Sequence, residues 1–188
     1  MIRENDLIGY LSQAYQQDDA LWQLLGSMPV SKTLRPGQMV FKDSHQPEAL
    51  FVHQGILKGL YYDDKGREHV TRFWKERQVI LLTGAQQPNI ATADHLQALE
   101  PSSLSAINYA SATALKLAPG QVARFAAKIL LTDRNMAELK SHLCALPARE
   151  AYKKFKKFLP EDRVHLRDIA SFLGITPQTI SEIRKSTK

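Results

Sequence analysis

The stretch from Leu166 to Lys185, LRDIASFLGITPQTISEIRK, restricts what this chain can fold into more than any other segment. Ile169, Ala170 and Leu173 recur at helical spacing and predict a short helix from about Leu166 to Leu173. Gly174 follows the last apolar residue, where glycine readily takes the left-handed backbone that stops a helix tightly. Thr176 and Pro177 then open a second helix. A threonine side chain caps free backbone N–H groups, and proline is tolerated at the first helical position. Ile180 and Ile183 supply the inner face of this helix, which leaves Gln178, Thr179, Ser181, Glu182, Arg184 and Lys185 outside. A short helix with a polar, partly basic exterior fits the major groove of DNA, and Arg167 on the first helix joins the candidate contacts. An ordinary helical hairpin is the competing reading.

The charge distribution favours the first reading. The chain carries +6 in all, and from Pro147 to Lys188 ten Lys/Arg stand against five Asp/Glu. Nearly all of the basic excess therefore belongs to the last fifth of the chain, where neutralising phosphates would use it. Within that segment Ala151, Tyr152, Phe155, Phe158 and Leu159 form an apolar face, with Lys153, Lys154, Lys156 and Lys157 round the rest. A lysine run of this kind is either a solvated face or a phosphate-contacting one. The single cysteine, Cys144, excludes an intramolecular disulfide framework and suits a reducing compartment. The N-terminus lacks an apolar signal region, and no hydrophobic run approaches the roughly 20 residues of a membrane span. The expectation is a soluble cytoplasmic protein with no membrane partner.

Ahead of the basic segment the periodicity changes twice. Residues 2–28 show helical spacing, with Leu7, Leu11, Tyr15, Leu21, Leu24 and Leu25 as the expected buried set. From Ser31 the apolar residues fall into short stretches: Met39–Phe41, Leu50–Val52, Ile56–Tyr62, His69–Trp74, Val79–Leu82 and Leu96–Leu99. Asp64-Lys65-Gly66 reads as a hairpin turn, and Gly37, Gly55 and Gly84 punctuate other connections. Many short strands at this spacing imply a sandwich or barrel. After Pro119 the helical period returns. Val122, Phe125, Ala126, Ile129 and Leu130 predict one helix, and Thr132 or Asp133 would cap a second whose apolar stripe is Met136, Leu139, Leu143 and Leu146. Pro147 interrupts the pattern and sets an expected boundary between residues 1–146 and 147–188.

Two of these segments resemble one family. In DIASFLGITPQTISEIRK, Ala170, Gly174 and Ile180 stand as the small residue, turn glycine and buried aliphatic of a helix-turn-helix, and the string is similar to the C-terminal end of Crp/Fnr-type transcription regulators. RPGQMVFKDSHQPEALFVHQGILKGLYYDDKGREHVTRFW is similar to the opening of the cyclic-nucleotide-binding jelly roll of the same family. The resemblance implies an α+β fold: an N-terminal antiparallel β jelly-roll barrel with flanking helices, a long connecting helix, and a small C-terminal helix-turn-helix domain. It also implies double-stranded DNA, a second copy of the chain and RNA polymerase as partners, with Met136, Leu139 and Leu143 at the dimer interface. A stripe packed back on its own barrel is the alternative.

The sequence departs from the family at its effector site. That site needs a cation and backbone N–H groups round a phosphate, supplied by a Gly-Glu pair and an Arg followed by small residues. Here Leu81 and Leu82 stand near the first, and Ile90, Ala91 and Thr92 at the second. No Arg or Lys occurs between Arg77 and Lys116. A phosphodiester buried without a cation carries a desolvation cost of several kcal/mol, so neither cyclic AMP nor cyclic GMP is expected to bind in the family manner. No cofactor is expected, and the small-molecule effector is left open. A second departure is Glu182, where the family commonly carries a base-reading arginine. The chain also stops soon after the reading helix, so fewer phosphate contacts are expected than in longer members. Two other functions compete: a cupin-like metal-dependent enzyme, for which the six histidines show no paired ligand spacing, and a protein-interaction module whose helix-turn-helix has lost DNA affinity.

Overall fold

The computed structural model describes residues 19–41, 48–82, 95–107, 113 and 116–186. It opens with α1 (Asp19–Gly26), whose Leu21 and Leu25 are buried in one cluster with Phe51. Leu7, Leu11 and Tyr15 lie outside the described residues, as do Gly84 and the effector-site positions Ile90, Ala91 and Thr92. Eight strands follow: β1 (Lys32–Leu34), β2 (Met39–Phe41), β3 (Glu48–Gln54), β4 (Leu57–Tyr62), β5 (Glu68–Trp74), β6 (Val79–Leu82), β7 (His95–Ala98) and β8 (Ser102–Ile107). They form two four-stranded antiparallel sheets in the orders β1-β8-β3-β6 and β2-β7-β4-β5. Pairing runs from the outermost strands of the sequence to the innermost: β1 with β8, β2 with β7, β3 with β6 and β4 with β5. One long hairpin is thus rolled up so that its successive parts enter facing sheets, as in a jelly roll. Among the described strands no pairing joins one sheet to the other, so the expected barrel is a sandwich. Leu34, Leu50, Val52 and Leu104 of the first sheet meet Leu57, Trp74, Leu96 and Ala98 of the second.

The expected strand stretches are all present, but β1 and β8 were not among them. β8 reads SSLSAI, and serine carries little strand signal. Its Ser105 is nevertheless buried, because its hydroxyl donates to the Pro29 carbonyl at 2.6 Å and lies 2.6 Å from His53 Nε2. Gly66 has a φ of +71° in the β4–β5 hairpin, where the Asp63 carboxylate accepts from the Lys65 and Arg67 N–H groups. Gly55, between β3 and β4, is more constrained. Its φ is +99°, and a Cβ there would lie 2.1 Å from Ser102 Oγ and 2.8 Å from the Pro101 carbonyl oxygen.

Beyond the sandwich the chain is helical: α2 (Pro119–Cys144), α3 (Ala148–Phe155), a 3₁₀ turn at Glu161–Arg163, α4 (Leu166–Leu173) and α5 (Pro177–Lys185). α2 is one continuous helix where two were expected. No proline or glycine interrupts it after its first turn, and the Asp133 carboxylate pairs with Arg72 of β5 instead of capping a new start. Burial pushes the Asp133 carboxyl above its ordinary range despite that guanidinium. Among the described residues no helix is long and apolar enough to cross a membrane.

The helices cover the outer face of the second sheet. Ile56, Val70 and Phe73 project there into a single apolar cluster with Leu139 and Leu143 of α2, Tyr152 and Phe155 of α3, Phe172 of α4 and Ile180 of α5. Leu139 and Leu143, expected at a subunit contact, are 2% and 1% exposed within one chain, with Met136 packed against the same cluster. The stripe is therefore occupied internally, against the β5 face and α4. Three rings meet at the centre: Phe73 and Phe172 at 5.2 Å between centroids, Phe155 and Phe172 at 5.8 Å, Phe73 and Phe155 at 6.0 Å.

Gly55→Ala should destabilise the protein by about 3 kcal/mol or more, since strain and overlap act together. Gly174→Ala, at a φ of +67° but with open space around the added carbon, should cost only about 1–2 kcal/mol. Equal melting-temperature losses for the two would contradict this account of the β3–β4 bend.

Candidate nucleic-acid interface

The helix pair α4–α5 is built as its local sequence dictates. Ile169, Ala170 and Leu173 are all 3% exposed or less, and Gly174 stops α4 in the left-handed conformation. The Ile175 N–H then donates back to the Ala170 carbonyl at 3.0 Å, satisfying a carbonyl the helix end would otherwise leave open. Thr176 caps α5: its backbone is extended and its hydroxyl accepts from the Thr179 N–H at 3.1 Å. Pro177 occupies the first helical position, and Ile180 is fully buried beneath the helix.

The expected contact residues separate into two groups. Gln178, Glu182 and Lys185 are exposed, and Thr179 and Ser181 are half-buried beside them. Positions 178, 182 and 185 fall four and three apart, so they share one face of α5. Along it the Gln178 amide donates to the Glu182 carboxylate at 3.1 Å, and the Ser181 hydroxyl donates to the Pro177 carbonyl at 3.0 Å. Arg167 is 75% exposed at the start of α4. Arg184 does not join this face. Its Nε donates to the Tyr152 hydroxyl at 2.6 Å and its Nη2 to Glu161 at 3.3 Å, so the side chain lies across α3. The Tyr152 bond raises the Arg184 pKa, while burial and the Glu161 carboxylate raise that of Tyr152. The guanidinium holds the end of α5 against the body of the domain.

The lysines also divide. Lys154 pairs with Glu150 at 3.2 Å and Lys156 with Glu161 at 3.7 Å. Lys153, Lys157 and Lys185 are exposed and have no ion-pair partner among the described residues. Between α3, the 3₁₀ turn and the end of α5 lies an open groove of about 1090 Å³ whose walls include Arg149, Lys153, Lys156 and Lys185. Sequence reasoning had no means of sorting these lysines, because which of them meets a carboxylate depends on how α3 and the turn pack. Of the effector-site positions, Leu81 and Leu82 belong to β6, where they pair with Ala49 and Glu48. Thr176→Ala should cost about 1 kcal/mol through the lost cap and fray the first turn of α5, seen as faster amide exchange at Thr179. Unchanged exchange would show that the cap is not what starts this helix.

No protein-family profile matches this chain, and no curated protein matches it. Solved structures do. FixK2 from Bradyrhizobium japonicum superposes with a TM-score of 0.63 at 18% identity, covering 85% of this chain and 84% of its own. A CooA mutant from Carboxydothermus hydrogenoformans gives 0.62 at 14% identity over 90% and 84%. A transcriptional regulator of the CRP family from Thermus thermophilus gives 0.60 at 11% identity over 82% and 83%. Each likeness covers more than four fifths of this chain, and on that ground the chain has the Crp/Fnr-type fold.

Proposed function

We propose that this chain is a sequence-specific DNA-binding transcription regulator, not an enzyme, that reads its operator as a homodimer. The observation that carries this reading is the exposed row Gln178, Glu182 and Lys185 with Ser181 beside it on a capped helix, near Lys153 and Lys157, which have no ion-pair partner among the described residues. Gln178 suits adenine, Ser181 either base, and Lys185 a phosphate or guanine. Glu182 accepts from cytosine and repels phosphate, and its bond from Gln178 restrains both side chains until DNA competes for the amide. RNA polymerase is a further partner under this reading. The effector stays unassigned. With no Arg or Lys between Arg77 and Lys116, cyclic AMP is not bound in the family manner.

The dimer surface in this reading is a different face of α2 from the one occupied by Leu139 and Leu143. Ala123, Leu130, Ala137 and Cys144 recur every seventh residue, and all are exposed, as are Ala127, Arg134 and Ser141 between them. Val122 and Leu130 are 37% and 60% exposed. A seven-residue repeat of small and apolar side chains is the seam of a parallel helix pair.

Selection from a random DNA library at two salt concentrations tests the reading. An inverted repeat with half-sites about one helical turn apart is expected. Gln178→Ala with Ser181→Ala should weaken specific binding more than non-specific binding. Lys153→Ala with Lys157→Ala should lower the salt slope by about 2 while leaving the selected sequence unchanged. No recovery above background, with or without candidate effectors, would favour an interaction module instead. The seam has its own test: mild oxidation should yield a Cys144-linked dimer on a non-reducing gel, lost in Cys144→Ser. A protein that sediments as a monomer and does not cross-link would exclude the α2 seam.

A further inference from the structure

A lysine buried at the joint between sandwich and helix pair has no part in the apolar packing around it. Lys58 lies on β4 and is 0% exposed, and its ammonium donates to Glu68 of β5 at 2.5 Å and to Asp168 of α4 at 2.9 Å. Asp168 is 1% exposed, and its second oxygen, Oδ2, is buried without a hydrogen-bond partner among the described residues. Two ions in such a place cost more to desolvate than a pair of apolar side chains of the same size. The pair is therefore a poor explanation of stability and a good one of orientation. Apolar surfaces slide with small penalties, whereas a displaced α4 costs Lys58 its contact with Asp168 and leaves the buried Asp168 carboxylate only the exposed Arg167 at 3.7 Å.

Further polar contacts hold the same hairpin. The Val70 N–H of β5 donates to Ser171 Oγ of α4 at 2.9 Å, while the Val70 carbonyl accepts from Lys140 of α2 at 2.7 Å. Arg72 of β5 pairs with Asp133 of α2. Among the described strands β5 is at the edge of its sheet, so these side chains use backbone groups that no further described strand takes up. The β4–β5 hairpin thus holds α2 through Val70 and Arg72, and α4 through Lys58 and Val70.

We propose that Lys58 is the positioning residue of the reading helix. By fixing α4 on the β4–β5 hairpin it sets the angle between α5 and α2, and so the separation of the two reading helices in a dimer. This rests on the dimeric-reader conclusion above, but the joint itself does not.

Lys58→Met together with Asp168→Leu tests it in the full-length protein, because removing both buried charges leaves only Glu68 without its partner, and that side chain is 28% exposed. The double variant should keep its melting temperature within a few degrees and retain non-specific DNA affinity. Its ratio of specific to non-specific affinity should fall about tenfold or more, and the sites it selects from a random library should show several half-site spacings in place of one. Amide exchange at Val70 and along α4 should quicken in the absence of DNA. Selection of the wild-type spacing at an unchanged affinity ratio would overturn the assignment, and so would unchanged exchange. If the wild-type protein selects no DNA, the dimeric-reader conclusion fails and the exchange measurement alone decides whether Lys58 fixes the joint.

Discussion

The structure depends on one joint, where the outer face of the β2-β7-β4-β5 sheet is covered by helices. Ile56, Val70 and Phe73 would face water if the sandwich stood alone, and the apolar faces of α3, α4 and α5 would do the same. Phe73, Phe155 and Phe172 resolve both exposures by meeting in one cluster, each ring contributed by a different element. Burying rings of this size dominates the energetics of any contact. The segment after Pro147 therefore shares its core with the strands.

Around that apolar centre the polar contacts give direction. Lys58 binds Asp168, Lys75 donates to the Phe158 carbonyl at 2.8 Å, and Arg163 lies between Glu76 and Glu100. Burial raises the Glu76 carboxyl, but hydrogen bonds from Arg163 and from the Glu76 and Gly55 N–H groups outweigh it and hold the acid below its ordinary range. The Gly55 bond, at 3.0 Å, ties the most constrained bend in the sandwich to the same cluster. These side chains come from segments far apart in the chain, and each restricts how the reading pair sits. A surface built on α5 inherits that geometry.

Local chemistry explains the success of the sequence reading where it succeeded. Gly174 and Thr176 act on neighbours within five residues, and Gly37, Gly55 and Gly66 all have the positive φ that their turns require. The short apolar stretches from Met39 to Trp74, set off by turn residues, identified their strands because apolar side chains of each are buried in or against the sandwich. β8 escaped because its buried Ser105 is satisfied by Pro29 and His53, partners that its own sequence does not disclose. Arg184 was placed on the reading face by helical arithmetic, yet Tyr152, thirty-two positions away, holds it elsewhere.

The sequence by itself determined the class of fold, the turn and caps of the helix pair, and the basic excess of its last segment, because these follow from backbone preference, short-range periodicity and charge. Only the tertiary structure decided which charges stay free and which are spent, since a lysine at Lys153 differs from one at Lys154 only in whether a carboxylate lies within reach. It decided equally that Leu139 and Leu143 pack inward while Ala123 and Leu130 are exposed. A helix with apolar residues on two faces does not state which face has a partner within its own chain. That choice belongs to the surface presented by β5 and α4.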